Sequence, residues 1–423
     1  MNAQSGAPRL FFGKTATVFL ALTVSASPAL AVENATLDKQ AAAKPVQESP
    51  STGGESTFSI SLEIGAGYDS NVYRTNANPY VDYYQGGVLV NPKVQSGYFI
   101  PVTFKAEKKT ESANDNYFLM SYKFDGDFYT QKDFQNANQY SHMVNIGGGS
   151  VFDSQDSRED GVYYGLFLGR KKKIYYDRDN GDVKSTSKGA SVSDRYTYST
   201  TGLEAAYNKD TGDFVYGVGA ALENRDYETP NSGSEYDYGS TSVNGKAGYY
   251  LLKSTLFQVS LDQEDIQYSK RNARLATASL KKTNPLLHYI YQTTDVMLKQ
   301  SFGGGMLAIL NYEVKERMDM NVGYNDFTRN RARVRFTARM DEIWKIRLEG
   351  ASFETDYPNA FAFDTPGQEK KYIKGVESNV SAEYAADKTM AYEAGFKTWD
   401  EKTNDLRFQY VRQQAWAGMK LSF

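Results

Sequence analysis

From Phe58 to the end of the chain, apolar and polar residues alternate in runs of roughly ten, each run closed by a turn. Phe58, Ile60, Leu62, Ile64, Ala66 and Tyr68 form one apolar face. Phe214, Tyr216, Val218, Ala220 and Leu222 form another, and Met306, Ala308, Leu310, Tyr312 and Val314 a third. Successive side chains leave a strand on opposite sides, so a period of two marks a strand whose faces meet different surroundings. No long window favours the helical period.

Sixteen such segments are predicted, near 58–68, 98–107, 117–128, 141–152, 162–169, 196–207, 214–223, 241–251, 256–264, 287–301, 306–315, 329–340, 344–353, 373–385, 390–397 and 407–423. Their connections sort by length. Short ones fall around 108–116, 153–161, 208–213, 252–255, 302–305, 341–343 and 386–389. Mostly longer ones fall around 69–97, 129–140, 170–195, 224–240, 265–286, 316–328, 354–372 and 398–406. Short and long alternate without a break. Short periplasmic turns and longer outer loops are what an even-stranded barrel with both termini in the periplasm requires. The expected fold is therefore all-β: a transmembrane antiparallel β-barrel of about sixteen strands, with fourteen to eighteen admissible.

The two ends of the chain agree with this. Ala415, Ala417, Met419, Leu421 and Phe423 alternate with Gln414, Trp416, Gly418, Lys420 and Ser422. A strand ending in an aromatic residue resembles the assembly signal read by the barrel-insertion machinery, with Met419, Leu421 and Phe423 as its apolar positions. Leu421 stands where a second aromatic is usual. At the other end, Arg9 and Lys14 flank an apolar stretch from Thr15 to Val24, followed by Ala29-Leu30-Ala31. That is the layout of a cleavable export peptide, and the apolar stretch is far short of the ~20 residues of a membrane helix. Residues 1–31 are read as signal peptide, 32–56 as a disordered periplasmic lead rich in Ala, Ser, Gly and Glu, and 57–423 as barrel.

Composition sharpens the class. The chain has 33 Tyr, 23 Phe and no Cys. A mean hydropathy of -0.59 is foreign to a helical membrane protein, but suits a barrel, where only alternate residues meet lipid. No blade-length repeat is visible, and the chain is long for one soluble sandwich. Without cysteine there are no disulfides and no thiolate metal sites. Cleavage after Ala31 would remove Arg9 and Lys14 from 48 basic residues and none of the 51 acids, leaving a net charge of -5. Nothing here suggests a nucleic-acid partner. The expected surroundings are outer-membrane lipid and lipopolysaccharide in a Gram-negative cell.

The twelfth segment departs from the ordinary pattern. Arg329, Arg331, Arg333, Arg335 and Arg339 alternate with Ala332, Val334, Phe336, Ala338 and Met340, and the next segment adds Lys345 and Arg347. An arginine facing the mid-bilayer costs ~2–4 kcal/mol, so these side chains are expected to line the lumen. Arginines two apart stand roughly 7 Å apart along a strand. Such a ladder would attract anions. Alternatively, each guanidinium pairs with a carboxylate such as Glu313, Glu349, Glu377 or Glu383 and locks the wall. Both readings can hold together. Residues 170–195 and 265–286 each carry a net charge of +4 and could contact anionic lipopolysaccharide.

Catalytic residues are scarce, and no enzyme is read from the chain. His142 and His288 are its two histidines, which excludes a multi-histidine metal centre. Ser141 adjoins His142, but neighbours on a strand face opposite sides and cannot form a nucleophile–base pair. Asp177 and Asp179 could imitate an acid dyad. Gly147-Gly148-Gly149 and Gly303-Gly304-Gly305 suit strand curvature or turns, since no helix follows to make a phosphate loop. No cofactor is implied.

At the exit of the first strand stands Gly67-Tyr68-Asp69-Ser70-Asn71-Val72. This hexapeptide resembles the opening strand of a β-barrel porin family found with exopolysaccharide synthesis and export genes. The likeness extends loosely over the barrel through length, tyrosine content and strand spacing. A further likeness is to the barrels of surface lipoprotein assembly modifiers, which carry a helical-repeat domain where this chain has residues 32–56. The first resemblance implies an outer-membrane conduit or accessory for an exopolysaccharide, with periplasmic export proteins as partners. An anionic polysaccharide would suit the arginines, and tyrosines could offer stacking faces to sugar rings. Alternatives are an anion-selective or general diffusion porin, and a structural barrel or adhesin with a plugged lumen.

Overall fold

The computed structural model describes residues 56–112, 115–151, 160–184, 191–228 and 236–423. The expected export peptide, most of the lead, and the turn around 153–161 except its last two residues lie outside the described residues. In chain order the strands are β1 (Ser56–Asp69), β2 (Tyr80–Asp82), β3 (Val88–Val90), β4 (Gly97–Glu111), β5 (Asn116–Tyr129) and β6 (Gln139–Val151). Next come β7 (Gly161–Lys173), β8 (Tyr198–Asp210), β9 (Phe214–Tyr227), β10 (Tyr238–Leu252), β11 (Thr255–Asn272) and β12 (Leu286–Gly303). The last are β13 (Met306–Asp319), β14 (Phe327–Met340), β15 (Trp344–Phe361), β16 (Lys370–Ala385), β17 (Met390–Thr403) and β18 (Tyr410–Ser422).

All but β2 and β3 close into one antiparallel barrel of sixteen strands, each hydrogen-bonded to its chain neighbours, with β1 also joined to β18. The closing register runs from Ser61↔Ser422 to Asp69↔Gln414. Below it, Ile60 and Phe423 exchange backbone hydrogen bonds of 2.9 Å in both directions. Closure leaves no unpaired edge, which is the condition for a sheet in hydrocarbon.

The register fixes which face looks outward. The predicted apolar positions are outside: Phe58, Val218 and Leu261 are 63%, 61% and 59% exposed. An apolar belt of this extent has no soluble explanation, and the barrel is a transmembrane one of the Gram-negative outer membrane. Aromatic pairs flank the belt on its outer surface. Tyr68–Tyr98 lies at the outer rim, and Phe214–Tyr249 and Trp344–Tyr384 at the inner one, with centroids 5.5, 4.9 and 5.0 Å apart. Inner turns are tight; Gly303, Gly304 and Gly305 take φ of 76, 56 and 78°, a region that suits glycine.

Each predicted segment meets a barrel strand, but several strands run further outward than expected. Residues 265–272, 316–319, 354–361 and 398–403, expected as loop, belong to β11, β13, β15 and β17. Their outward positions carry polar groups such as Asp265, Gln267, Glu316 and Glu354. The apolar alternation stops where hydrocarbon stops, while the hydrogen-bond ladder continues into water. The β2–β3 hairpin was also beyond reach of the pattern, because three residues per strand establish no period.

Candidate lumen site

On β14 the outward residues are Val334 and Met340, 48% and 53% exposed, so Arg329, Arg331, Arg333, Arg335 and Arg339 take the lumen face. Lys345 and Arg347 share that face on β15, in register with Arg339 and Thr337. Much of the ladder is neutralised. Arg331 forms a salt bridge with Glu377 of β16, and Arg333 and Arg335 approach the two oxygens of Glu349 at 3.3 and 3.2 Å. Arg329 instead lies 4.6 Å from the centre of the Phe353 ring, with its buried Nε lacking a partner. The wall-locking arrangement thus holds for three of these arginines.

The hexapeptide at the exit of β1 is built into the mouth. Asp69 has no exposed surface and accepts hydrogen bonds from Arg412 Nε at 3.0 Å and Nη2 at 2.5 Å. It also accepts from Tyr129 Oη at 2.6 Å, Gln414 Nε2 at 3.0 Å and the Asn71 backbone at 3.0 Å. The Asn71 amide donates to the carbonyls of Thr75 at 2.8 Å and Val411 at 2.9 Å. Ser70 Oγ accepts from the Gln413 backbone at 2.8 Å. Val72 packs with Tyr73, Phe99, Tyr129 and Phe134. Gly67 leaves the space that Phe99 fills: a Cβ there would sit 2.5 Å from the ring. The bond from the Asn71 backbone to Asp69 starts the turn into the loop, and the wider role of the hexapeptide is to fasten β1 to β18 and β5.

The first outer loop (residues 70–96) folds across one sector of the mouth. Tyr73 Oη donates to the Asp133 carbonyl at 2.6 Å, and Thr75 to the Arg178 carbonyl of the third outer loop (residues 174–197). Tyr80 Oη donates to the Asp179 carboxylate at 3.0 and 3.2 Å, and its ring packs with Phe363 and Leu406. Burial raises the Asp179 carboxyl above its ordinary range despite the Tyr80 bond, and raises the Tyr80 hydroxyl as well. Asp177 is bound by Lys184. The two acids therefore serve the loop fold and form no exposed dyad.

Part of the basic stretch expected as loop is strand. Lys171 and Lys173 lie on the lumen face of β7, in register with Ser141 and Gln139, whereas Arg170 and Lys172 face outward. Arg74, Lys173 and Arg412 line one cleft with Tyr129 and Tyr176. Arg178 approaches the rings of Phe408 at 5.1 Å and Tyr410 at 6.0 Å. Among the described residues, no carboxylate forms a salt bridge with Arg74, Lys171, Lys173 or Arg178. Glu401 of β17 lies in electrostatic reach of Arg178 and Arg74 without a salt bridge to either, and the basic groups outnumber it at the lumen mouth.

A second feature went unseen in the sequence. The outer ends of β8 to β15 turn an aromatic series into the lumen: Tyr198, Tyr227, Tyr238, Tyr268, Tyr289, Tyr291, Phe327 and Tyr357. Consecutive centroids are 5.0, 6.3, 5.4, 5.9, 6.0, 6.2 and 5.6 Å apart. Arginines interleave with it. Arg225 stands 4.5 Å from Tyr198, Arg271 5.3 Å from Tyr268, and Arg317 4.7 Å from Tyr289 and 4.6 Å from Phe327. The available clue was that these aromatics fall on the polar parity of their strands, where a lipid girdle has no use for them.

Both histidines face outward. His142 Nδ1 lies 2.7 Å from Tyr122 Oη among Phe124 and Tyr140, while Ser141 is on the opposite face. His288 Nε2 lies 3.0 Å from Asp265.

No family model and no curated protein matches this chain. Solved structures similar to it include an anion-selective porin from Comamonas acidovorans, at 9% identity over 88% of this chain and 100% of that one, with a TM-score of 0.46. Another is OmpT, an outer membrane protein of Vibrio cholerae, at 10% identity over 89% and 100%, with a TM-score of 0.44. A third is a bacterial polysaccharide outer membrane secretin, at 8% identity over 86% and 97%, with a TM-score of 0.42. The closed barrel stands on the chain's own strand pairing.

Proposed function

We propose that this barrel is an outer-membrane conduit for an anionic polysaccharide leaving the cell, working with periplasmic export proteins. The observation that carries the reading is the group of lumen cations at the mouth, Arg74, Lys171, Lys173 and Arg178, without salt-bridging carboxylates among the described residues. Cations in excess of the nearby carboxylate Glu401 concentrate anions and offer them weak, successive sites. The likeness of residues 67–72 to a family found beside exopolysaccharide genes supports export over uptake. A second reading, an anion-selective porin for small solutes, draws on the same charge and differs in cargo.

The test combines two measurements on Arg74→Gln/Lys173→Gln/Arg178→Gln and on a deletion strain. Wild-type channels in planar bilayers are expected to favour anions, and the triple variant to lose most of that preference. Secreted acidic glycan is expected to fall in the deletion strain and recover with the wild-type gene. Anion selectivity with unchanged secretion would leave the porin reading in place; a cation-selective wild type would sink both.

A further inference from the structure

The aromatic series on β8 to β15 is more than wall packing. Tyr238 and Tyr289 form its base, buried against Ile266, Ala273 and Leu287. Tyr198, Tyr227, Tyr268, Tyr291, Phe327 and Tyr357 stand in front of that base and keep part of their surface open to the lumen. Among the described residues, the hydroxyls of Tyr198, Tyr238, Tyr268, Tyr289 and Tyr357 have no protein hydrogen-bond partner, and none is sealed from solvent. A buried tyrosine in a packed wall normally satisfies its hydroxyl. Here a row of donors opens into water.

The cations along the row point the same way. Arg225 is held by Glu223 at 2.5 Å. Arg271, Lys315 and Arg317 have no salt-bridging carboxylate among the described residues, and Arg317 Nε donates to the Asn325 carbonyl at 2.7 Å. Lys315 stands 4.9 Å from the Tyr291 ring. A ring face, a hydroxyl donor and a cation outside any salt bridge thus recur along one wall, with Asp262 and Glu264 in electrostatic reach of Lys315 and Asp326 in reach of Arg317. The opposite sector is filled by the first outer loop, whose Val72 and Tyr73 pack onto lumen-facing Phe99 and Tyr129.

We propose that this wall is a saccharide-binding track for an acidic glycan, whose sugar rings lie on the tyrosine faces while their carboxylates meet Arg271, Lys315 and Arg317. The apolar face of a pyranose suits an aromatic ring, its hydroxyls suit free phenols, and a guanidinium presents a fork to a carboxylate. Simple anion attraction needs no rings, and neutral sugar binding needs no cations; the row supplies both. The inference gives a site to the cargo of the conduit reading, and its biological meaning rests on that reading.

The experiment is calorimetric titration of the detergent-solubilised full-length barrel with an oligogalacturonate, a neutral malto-oligosaccharide of equal length, and inorganic phosphate. The acidic oligosaccharide is expected to bind most tightly. Tyr268→Ala and Tyr291→Ala should each weaken it about fivefold or more. Arg271→Gln/Arg317→Gln should abolish the preference for the acidic over the neutral sugar. The lipid-facing control Tyr164→Ala should change nothing. If an alanine variant fails to form a heat-modifiable barrel, Tyr268→Phe and Tyr291→Phe replace it, keeping the ring and deleting the hydroxyl, with a smaller loss expected. Phosphate binding as tightly as the oligogalacturonate, or sugar binding untouched by every wall variant, would overturn the track. No saccharide binding alongside glycan secretion that depends on the barrel would remove the track and keep the conduit. Tight acidic-sugar binding alongside normal secretion in the deletion strain would keep the track and remove export.

Discussion

Asp69 shows how much a single carboxylate can organise when it is sealed from water. It neutralises Arg412, takes the Tyr129 hydroxyl and anchors the backbone of Asn71, so β1, β5, β18 and the first outer loop meet on one group. Removing it leaves a buried guanidinium without a counter-charge, which costs about 3–5 kcal/mol. Asp69→Ala is therefore expected to lower the unfolding midpoint of the detergent-solubilised barrel strongly, and Asp69→Asn less so. An unchanged midpoint in the alanine variant would show that the cluster does not lock the seam. The hexapeptide itself was visible in the sequence, as a strand exit. Its partner was not, because Arg412 lies 343 residues further along and only ring closure brings it near. The same limit applied to Arg331, Arg333 and Arg335: alternation placed them inside, but only the register showed Glu377 and Glu349 opposite them.

Strands were legible because lipid imposes a strict demand on every second residue. That demand ends at the headgroups, which is why the outer ends of β11, β13, β15 and β17 read as loop. Loop packing has no comparable period, so the contacts of the first outer loop with its neighbours left no trace in the pattern. Those contacts carry a pH dependence. Burial raises the Asp179 carboxyl; the Tyr80 hydroxyl pulls it down, Asp177 pushes it up, Lys184 pulls it down and Asp82 pushes it up. A carboxyl raised in the folded loop holds its proton more tightly there than in the free chain. The folded contact is therefore penalised as pH rises through the ordinary carboxylate range, and regains that stability as pH falls through the raised value. The mouth is expected to close further in mild acid. Single-channel conductance should fall between pH 7 and about pH 4, and Asp179→Asn should hold it low across that range. A conductance equally pH-dependent in the asparagine variant would assign the effect to another group.

The barrel as a whole was the most legible level, since alternating short and long connections encode two membrane faces. The lumen was the least legible, because its filling depends on which loops fold inward. The topology can be checked on intact cells with a membrane-impermeant thiol reagent. Cysteines introduced at Lys281 and Lys282, in the connection between β11 and β12, are expected to react. One at Asp387, in the turn between β16 and β17, is expected to stay unlabelled until the outer membrane is opened. Labelling of the Asp387 position in sealed cells would invert the assignment. Strand length adds a final consequence. β11, β12 and β15 each have 18 residues, whereas β6, β7, β8 and β18 have 13. At a rise of ~3.4 Å per residue, the difference is about 17 Å along the strand. The rim is uneven: it stands high at β11, β12 and β15 and low at β13 and β14, with 14 residues each, and at β8, so the tyrosine wall itself runs over tall and short strands. On the conduit reading proposed above, a polymer sliding up that wall would leave through the notches over the short strands and be shed sideways, laid along the cell surface instead of fired straight into the medium.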